Sequence, residues 1–399
     1  MPVLTHALRR FWRDRIGPLA LLLILWLGLA GPRAWAQMPP APEMAARAYL
    51  LLDVTANQVL ASREADLSIE PASLTKLMTA YLVFDALRNR QIELKQTLTV
   101  SERAARMTGS RMFISAGQQV AVEDLLKGMI VQSGNDASVA LAEGVAGSAE
   151  RFVQLMNEQA RALGMQQTQY KNPEGQSEAG HRSTARDLSR LATRLMRDFP
   201  ESMAYFAIKK YRLPGTPAAN ENNRNLLLFR DPTVDGLIAG HTDSVGFCLV
   251  STARRQFPNV GARRLLAIVL GADSENARAS ESQKLLNWGF TAFDPVKLFD
   301  AGQNVATPPI WKGKSNTVRL GSFEPLVVAV PAGSAGQIRT LLVRPDPLVA
   351  PLIKGQGVGT LKVLRADEPL LEVPVRVLET VEEAGVLGRA WDAIRLWIR

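Results

Sequence analysis

The pattern of apolar residues changes near Asp294-Pro295, and this change constrains the fold of the 399-residue chain more than any other feature. Before it, from about residue 45, short apolar runs alternate with stretches in which apolar residues recur at helical spacing. Strands at both ends of this region with helices between them predict an α+β domain. After it, as far as Val381, short alternating runs rich in Val, Leu, Pro and Gly predict a small all-β sandwich.

The first 36 residues predict a secretory signal peptide. Arg9, Arg10 and Arg13 belong to a basic stretch, an apolar run of 13 residues follows, and residues 34–36 have the small-x-small pattern of a signal-peptidase site. The alternative is an uncleaved transmembrane anchor, but the run is shorter than the roughly 20 residues that span a bilayer. We expect cleavage after Ala36 and export of the mature chain.

Composition narrows the classes of function. Removing residues 1–36 takes away five Arg and one Asp, which lowers the formal net charge from +9 to +5. This mild excess suits an anionic membrane surface or cell-wall polymer, and export argues against nucleic acid. Cys248 has no thiol to pair with. Only His181 and His241 follow the signal peptide, without a zinc-ligand pattern, and a G-x-S-x-G elbow is absent, so zinc and Ser-His-Asp hydrolases are disfavoured.

The mature chain of about 360 residues is too long for one compact core and predicts more than one domain. The predicted units are a first domain at 37–295, a β-sandwich at 296–382 and a C-terminal amphipathic helix at 383–399.

The C-terminal helix has two unlike faces at 100° per residue. The apolar face carries Leu387, Trp391, Ile394 and Ile398. The polar face carries Arg389, Asp392, Arg395 and Arg399. The helix is too short to cross a bilayer, but two Trp on one side and three Arg on the other favour a position in the membrane interface. The alternative is a helix that docks on the β domain.

Ser73-Leu74-Thr75-Lys76 is the first candidate for chemistry. Residues three apart share a helix face, so the Ser73 hydroxyl and the Lys76 amine come within hydrogen-bond reach. Pro71 is a helix-start signal that places Ser73 near the N-terminus of the helix. A lysine buried beneath an apolar helix loses its proton near neutrality and can serve as the base for the serine.

Ser133-Gly134-Asn135 is the second candidate. This polar triplet interrupts an apolar helical stretch, which is costly unless the triplet forms a loop that lines a site. Ser133 is suited to proton relay and the Asn135 amide to holding a peptide group. An ordinary turn between helices is the alternative.

These two motifs, in this order and spacing, resemble the S-x-x-K and S-x-N motifs of the low-molecular-mass penicillin-binding proteins, specifically the D-Ala-D-Ala carboxypeptidases. The resemblance extends from Tyr49 to Trp288, and its blocks include residues 71–79, 131–137, 180–187 and 234–243. It implies a β-lactamase/transpeptidase-like catalytic domain, an antiparallel sheet flanked by helices. The β domain and terminal helix also match that subfamily.

The resemblance implies roles for nine residues. The catalytic residues would be Ser73 as nucleophile, Lys76 as its base and Ser133 in proton transfer. Backbone N–H groups of Ser73 and His241 would form the oxyanion hole. The substrate-binding residues would be Asn135, Arg224, Ala239, Gly240, His241 and Arg278, with the two arginines holding the terminal carboxylate of D-alanine. No metal or organic cofactor is implied.

The chain departs from the family pattern at its third motif. Where the family has K-T-G, this sequence has Ile238-Ala239-Gly240, so the Lys and Thr that donate to the substrate carboxylate are missing. The family stretch N-P-x-G-L is also altered, to Asn172-Pro173-Glu174-Gly175-Gln176. We therefore expect weakened activity.

The predicted function is removal of the terminal D-alanine from peptidoglycan stem peptides through a Ser73 acyl-enzyme, with binding of β-lactam antibiotics. The predicted location is the periplasm, attached by the terminal helix to the outer face of the bacterial inner membrane. One alternative is an impaired penicillin-binding-like protein that binds wall peptides without turnover. A secreted β-lactamase is a weaker alternative, because the β domain and anchor have no use there.

Overall fold

A five-stranded antiparallel sheet, in the order β2-β1-β7-β6-β5, forms the centre of the first domain. The computed structural model describes residues 38–398, so the predicted signal peptide of residues 1–36 lies outside them. From Ala41 onward the chain forms one compact unit. The strands of this sheet are β1 Ala48–Asp53, β2 Gln58–Arg63, β5 Val234–Thr242, β6 Gly246–Phe257 and β7 Gly261–Ala272.

The sheet is buried on both faces because its central strands carry apolar residues at successive positions. Leu50 packs into the cluster on the helical side, whereas Leu51 packs into the cluster on the opposite side. Side chains alternate between the faces of a strand, so this all-apolar strand supplies two cores at once. Strand β1 pairs with β7 in the register Leu50↔Ile268, which places both residues on the helical side.

Helices and two short strands fill the chain between β2 and β5. A 3₁₀-helix at Ala72–Thr75 leads into the first α-helix. The helices are α1 Lys76–Arg88, α2 Glu102–Ala105, α3 Val122–Val131, α4 Asn135–Ala146, α5 Ala149–Ala162, α6 Ala185–Asp198, a 3₁₀-helix Pro200–Ser202, α7 Met203–Phe206 and α8 Leu227–Arg230. The short strands are β3 Thr97–Thr99 and β4 Gln119–Ala121, which pair antiparallel. Side-chain caps at Ser148 and Thr184 fix the starts of α5 and α6.

Helix α9, Glu275–Ala292, covers the other face of the sheet. It begins at the capping residue Ser274, whose hydroxyl accepts from the Ala277 N–H. The predicted α+β catalytic domain, with an antiparallel sheet between helices, is confirmed.

A β domain follows, and the change of pattern at Asp294 lies inside its first strand. Its strands form a five-stranded sheet in the order β13-β15-β16-β11-β9 and two-stranded sheets β8-β12 and β10-β14. The elements are β8 Phe293–Phe299, β9 Asn304–Ala306, β10 Ile310–Trp311, β11 Leu320–Gly321, β12 Leu326–Pro331, a 3₁₀-helix Ala335–Gln337, β13 Ile338–Val343, β14 Leu348–Val349, β15 Gly357–Arg365 and β16 Glu368–Val377. Strand β12 serves two cores, with Ala329 facing the α9 side and Val328 facing the β domain.

The terminal helix α10, Val386–Ile398, contacts the β domain through its polar side. Asp392 Oδ2 accepts from the Lys312 N–H at 2.6 Å, and the Arg395 guanidinium lies over the Trp311 ring. The apolar side chains remain exposed, with Leu387 and Trp397 each 89% exposed. Among the helices of residues 38–398, none has the length and apolar character needed to cross a bilayer.

A buried ion pair joins the sheet to the start of the β domain. Arg263 Nε donates to Asp53 Oδ2 at 2.7 Å, and both side chains are fully buried. Arg263 Nη1 also donates to the Phe293 carbonyl at 2.7 Å, while Asp53 Oδ1 accepts from the Ala56 N–H. The pair thus fixes the end of β1, β7 and the first residue of β8 together.

Replacing Arg263 with Met should destabilise the chain by about 3–5 kcal/mol, because it would leave the buried Asp53 without its counter-charge. The matched control is Arg254→Met, at an exposed position of the neighbouring strand β6, which should change stability by less than about 0.5 kcal/mol. Chemical denaturation followed by fluorescence measures both. Equal effects of the two substitutions would contradict the role of the ion pair.

Candidate active site

Three segments meet at the β5 edge of the central sheet. They are the 3₁₀-helix Ala72–Thr75, the loop between α3 and α4, and β5 itself. Together with the loop before α6 they enclose a cleft of about 660 Å³. The predicted site residues all come together at this cleft, since eight line it and Lys76 lies beneath it. Those that line it are Ser73, Ser133, Asn135, Arg224, Ala239, Gly240, His241 and Arg278.

Ser73 and Lys76 are brought together by the change from a 3₁₀-helix to an α-helix. Ser73 lies in the 3₁₀ turn, in which side chains three residues apart eclipse, and Lys76 is the first residue of α1. Lys76 Nζ lies 3.0 Å from Ser73 Oγ. Ala72, just before the serine, has a φ of +50°, a left-handed conformation in a non-glycine residue. Such strain is typical of functional sites.

Lys76 is fully buried, and oxygen atoms surround its amine. Nζ donates to Asn135 Oδ1 at 2.8 Å and to the Glu174 carbonyl at 2.6 Å. Burial lowers the pKa of Lys76 to about 7, although the negative charges of Glu174 and Asp136 raise it. A large fraction of this amine is therefore neutral at physiological pH.

The loop between α3 and α4 brings Ser133 and Asn135 to the same point. The Ser133 hydroxyl donates to Ser73 Oγ at 3.0 Å, and Ser133 has a φ of +56°. Asn135 begins α4; its Nδ2 donates to the Thr108 carbonyl at 2.7 Å while its Oδ1 holds Lys76. In this arrangement Asn135 positions the lysine.

Strand β5 forms the opposite wall, and its sequence explains which residues reach the cleft. Ala239, Gly240 and His241 line the cleft, whereas Ile238 is buried in the apolar cluster that contains Leu74. A Cβ atom at position 240 would lie 3.3 Å from Ala72 Cβ and from the Leu74 backbone nitrogen. Glycine therefore allows β5 to approach the turn that carries Ser73.

Two arginines place positive charge beside β5. Arg278, on α9, is buried, and its guanidinium donates to the carbonyls of Gly240 and Arg224, each at 3.1 Å. Arg224 is partly exposed and donates to Asn220 Oδ1 at 2.8 Å. Glu275 lies 3.3 Å from Arg278 and 3.7 Å from Arg224, so it offsets part of this charge.

Two carboxylates at the site were not predicted from the sequence. Asp136 is buried and accepts from the backbone N–H groups of Met112 and Phe113, which fixes the loop above α4. Glu174 lines the cleft from the stretch 172–176, and burial raises its pKa. The altered motif around Glu174 was the one signal in the sequence that could have identified it. Among residues 38–398, His, Cys, Asp and Glu side chains form no group of three suited to a metal ion.

Comparison with known proteins gives the same assignment for both domains. The Peptidase_S11 family, described as D-alanyl-D-alanine carboxypeptidase, matches residues 35–274, and the C-terminal domain of penicillin-binding protein 5 matches residues 293–383. D-alanyl-D-alanine carboxypeptidase DacC of Escherichia coli (strain K12) is 39% identical over 386 residues, which cover 93% of each chain.

Solved structures share this architecture. The crystal structure of penicillin-binding protein 5 from Haemophilus influenzae has a TM-score of 0.81 at 32% identity, covering 86% of this chain and 99% of that one. The ampicillin-bound form of penicillin-binding protein D2 from Listeria monocytogenes has a TM-score of 0.56 at 30% identity, covering 63% of this chain and all of that one. Motifs, geometry and relatives agree, and the chain belongs to the D-alanyl-D-alanine carboxypeptidase family of low-molecular-mass penicillin-binding proteins.

Proposed function

We propose that this protein is a serine-type D-Ala-D-Ala carboxypeptidase that removes the terminal D-alanine of peptidoglycan stem peptides through a Ser73 acyl-enzyme. The hydrogen-bonded chain from Ser133 to Ser73 to Lys76 is the observation that carries the proposal. It gives the nucleophile a base on one side and a proton relay on the other. Family membership supports the same reaction and favours it over binding without turnover.

The surroundings of Lys76 support its role as the base. A neutral amine has two N–H groups and one lone pair, and Asn135 Oδ1 and the Glu174 carbonyl accept the two N–H groups. The lone pair is then directed to Ser73, whose hydroxyl donates to it. As Ser73 Oγ bonds to the peptide carbonyl carbon, its proton moves to Lys76. As the bond from that carbon to the D-alanine nitrogen breaks, Ser133 gives its hydroxyl proton to the nitrogen and takes the proton held by Lys76, so both groups end in their starting states.

The arginines beside β5 support recognition of the substrate carboxylate. Arg278 and Arg224 line the cleft next to Ala239 and Gly240, where the family's Lys and Thr would donate. We assign the terminal carboxylate to these guanidinium groups, the carbonyl oxygen to the backbone N–H groups of Ser73 and His241, and a substrate peptide group to Asn135. Because the charge of Glu275 competes for both arginines, we infer weak carboxylate binding and slow turnover.

β-Lactam antibiotics should react at the same serine. The structural relative from Listeria monocytogenes was solved with ampicillin bound, and this chain shares its family and fold. A β-lactam supplies a strained amide carbonyl to the nucleophile, so penicillin is a suitable probe of Ser73.

Ser73→Ala should abolish covalent labelling by a fluorescent penicillin, and Lys76→Ala should reduce it nearly as completely, because the two groups act as a unit. The matched control is Ser177→Ala, which removes another hydroxyl from the same cleft and should label normally. Gel fluorescence and the mass of the labelled peptide measure the outcome. Labelling that persists in Ser73→Ala would assign the nucleophile to another residue.

The labelling rate of the parent protein should rise as the pH increases through about 7, because acylation needs the neutral form of Lys76. A labelling rate that is independent of pH between 6 and 8 would contradict Lys76 as the base.

The double substitution Ile238→Lys with Ala239→Thr should raise kcat/KM for D-Ala-D-Ala peptides by roughly 10²-fold or more. Two restored hydrogen bonds to a charged group contribute about 3–6 kcal/mol together. The control Ile238→Met keeps the apolar volume without the charge and should give no gain. Peptides with an amidated C-terminus should not benefit either, so an equal gain on both substrates would exclude carboxylate recognition as the cause.

We also propose limits for the domains of the chain and a cellular location for the protein. The limits are a signal peptide at 1–36, a catalytic domain at 37–295, a β-sandwich at 296–382 and a membrane-binding helix at 383–399. The predicted signal peptide and the bacterial relatives, which are D-alanyl-D-alanine carboxypeptidases, support a periplasmic protein. Helix α10 supports attachment to the outer face of the inner membrane, because its polar side docks on the β domain and leaves Leu387, Trp391 and Ile394 exposed.

Deleting residues 384–399 should move the mature protein from the membrane fraction to the soluble fraction. Activity on small peptides should not change, because the helix lies outside the cleft. High salt should release the intact protein only in part, since burial of apolar side chains in the interface is not screened. The double substitution Leu387→Ala with Trp397→Ala should also weaken attachment, because it removes two exposed apolar side chains. Complete release of the intact protein by salt alone would contradict apolar insertion.

A further inference from the structure

Glu174 carries a buried carboxyl group in the cleft. This group has no role in the proposed acylation of Ser73. The residue is only 5% exposed, and it lines the same cleft as Ser73 and Ser133. Oε2 is inaccessible to solvent and has no hydrogen-bond partner among the described residues. An unpaired buried carboxylate oxygen is costly, so its retention at a reacting centre indicates a function.

The stretch around Glu174 is held rigidly against the nucleophile's turn. The Gly175 N–H donates to Asn172 Oδ1 at 2.7 Å, and Thr79 Oγ1 donates to the Pro173 carbonyl at 2.6 Å. Gly175 has a φ of +90°, and a Cβ atom there would lie 1.9 Å from the Ala72 carbonyl oxygen. The Glu174 carbonyl itself accepts from Lys76. The backbone that carries the Glu174 side chain therefore has a fixed position relative to Ser73 and Lys76.

The electrostatic surroundings suit a proton acceptor. Burial raises the pKa of the Glu174 carboxyl; a hydrogen bond from its own backbone N–H and the charges of Lys76 and Arg103 lower this pKa, and the exposed Glu178 raises it least. A carboxylate with a raised pKa takes up a proton more readily than an exposed one. In the acyl-enzyme Ser73 Oγ is an ester oxygen without a proton, so the acceptors for a proton of an incoming water are the Lys76 lone pair and the Glu174 carboxylate, whose Oε2 has no other hydrogen-bond partner among the described residues.

We propose that the Glu174 carboxylate is the general base of deacylation, accepting the proton of the water that hydrolyses the Ser73 acyl-enzyme. The inference rests on the proposed function, since it needs an acyl group on Ser73. The water oxygen bonds to the acyl carbon while one of its protons moves to Glu174. The bond between that carbon and Ser73 Oγ then breaks, and the proton returns to Oγ, so serine and carboxylate end in their starting states.

The test separates acylation from deacylation. Glu174→Gln keeps the shape of the side chain and removes the base, so release of the penicillin adduct should slow by about 10²-fold or more. The rate of adduct formation should change by less than about threefold, because Ser73 and Lys76 are intact. Glu174→Asp should give an intermediate release rate, since it retains a carboxylate at a greater distance. Rapid mixing with a fluorescent penicillin, followed by a chase, measures both rates.

The matched control is Glu178→Gln, which changes an exposed carboxylate of the same loop to an amide that can still accept from Asn172. It should change both rates by less than about threefold, because Glu178 is exposed and is the smallest of the influences on the pKa of Glu174. Hydroxylamine, a nucleophile that attacks esters without a base, should restore release in Glu174→Gln. Equal losses in adduct formation and release, or no loss in release, would overturn the role of Glu174. Absence of any adduct in the parent protein would instead overturn the proposed function.

Discussion

The active-site chemistry depends on the burial of one lysine. Lys76 is enclosed by α1, the Asn135 side chain and the loop that carries Glu174, and its low pKa follows from removal from water. A charged amine at this position would be costly, and the fold avoids that cost by holding the amine partly neutral and surrounded by acceptors. The low pKa of Lys76, the orientation of its amine and its contact with Ser73 therefore have the same physical cause. In the proposed mechanism, helix packing around α1 is a catalytic requirement as well as a structural one.

The loss of two donors from β5 leaves the shape of the strand intact. Gly240 still allows the close approach to Ala72 and Leu74, and Arg278 donates to the Gly240 carbonyl from the other side of the sheet. Positive charge consequently remains beside the strand although Ile238 carries none. The Arg278 guanidinium differs from a lysine amine at position 238 in its hydrogen bonds. Because it donates to backbone carbonyls, it has fewer N–H groups left for a substrate carboxylate. Under the proposed function, the site therefore keeps its nucleophilic residues and binds the substrate carboxylate less strongly.

The sequence was sufficient to predict contacts between residues that are close in the chain, and contacts between residues that belong to known motifs. Ser73 and Lys76 are three residues apart, and the loop at Ser133 is marked by polar residues in an apolar run. The position of Glu174 in the site could not be predicted in this way. Its contact with Lys76 spans 98 residues and depends on how the loop before α6 folds over α1. The double role of β12 was also missed, since strand alternation predicts two faces but not that the second face belongs to another domain.

The balance of charge around Lys76 differs from that in a cleft whose third motif, K-T-G, supplies a lysine. A nearby cation would lower the pKa of Lys76, and here Ile238 supplies none; Glu174 and Asp136 both act in the opposite direction. Burial alone has to outweigh the two carboxylates, and it does so because Lys76 is fully buried. The same desolvation raises the pKa of Glu174. Burial thus brings an amine and a carboxyl group closer in pKa, and in the proposed mechanism this allows the amine to act in acylation and the carboxylate in deacylation.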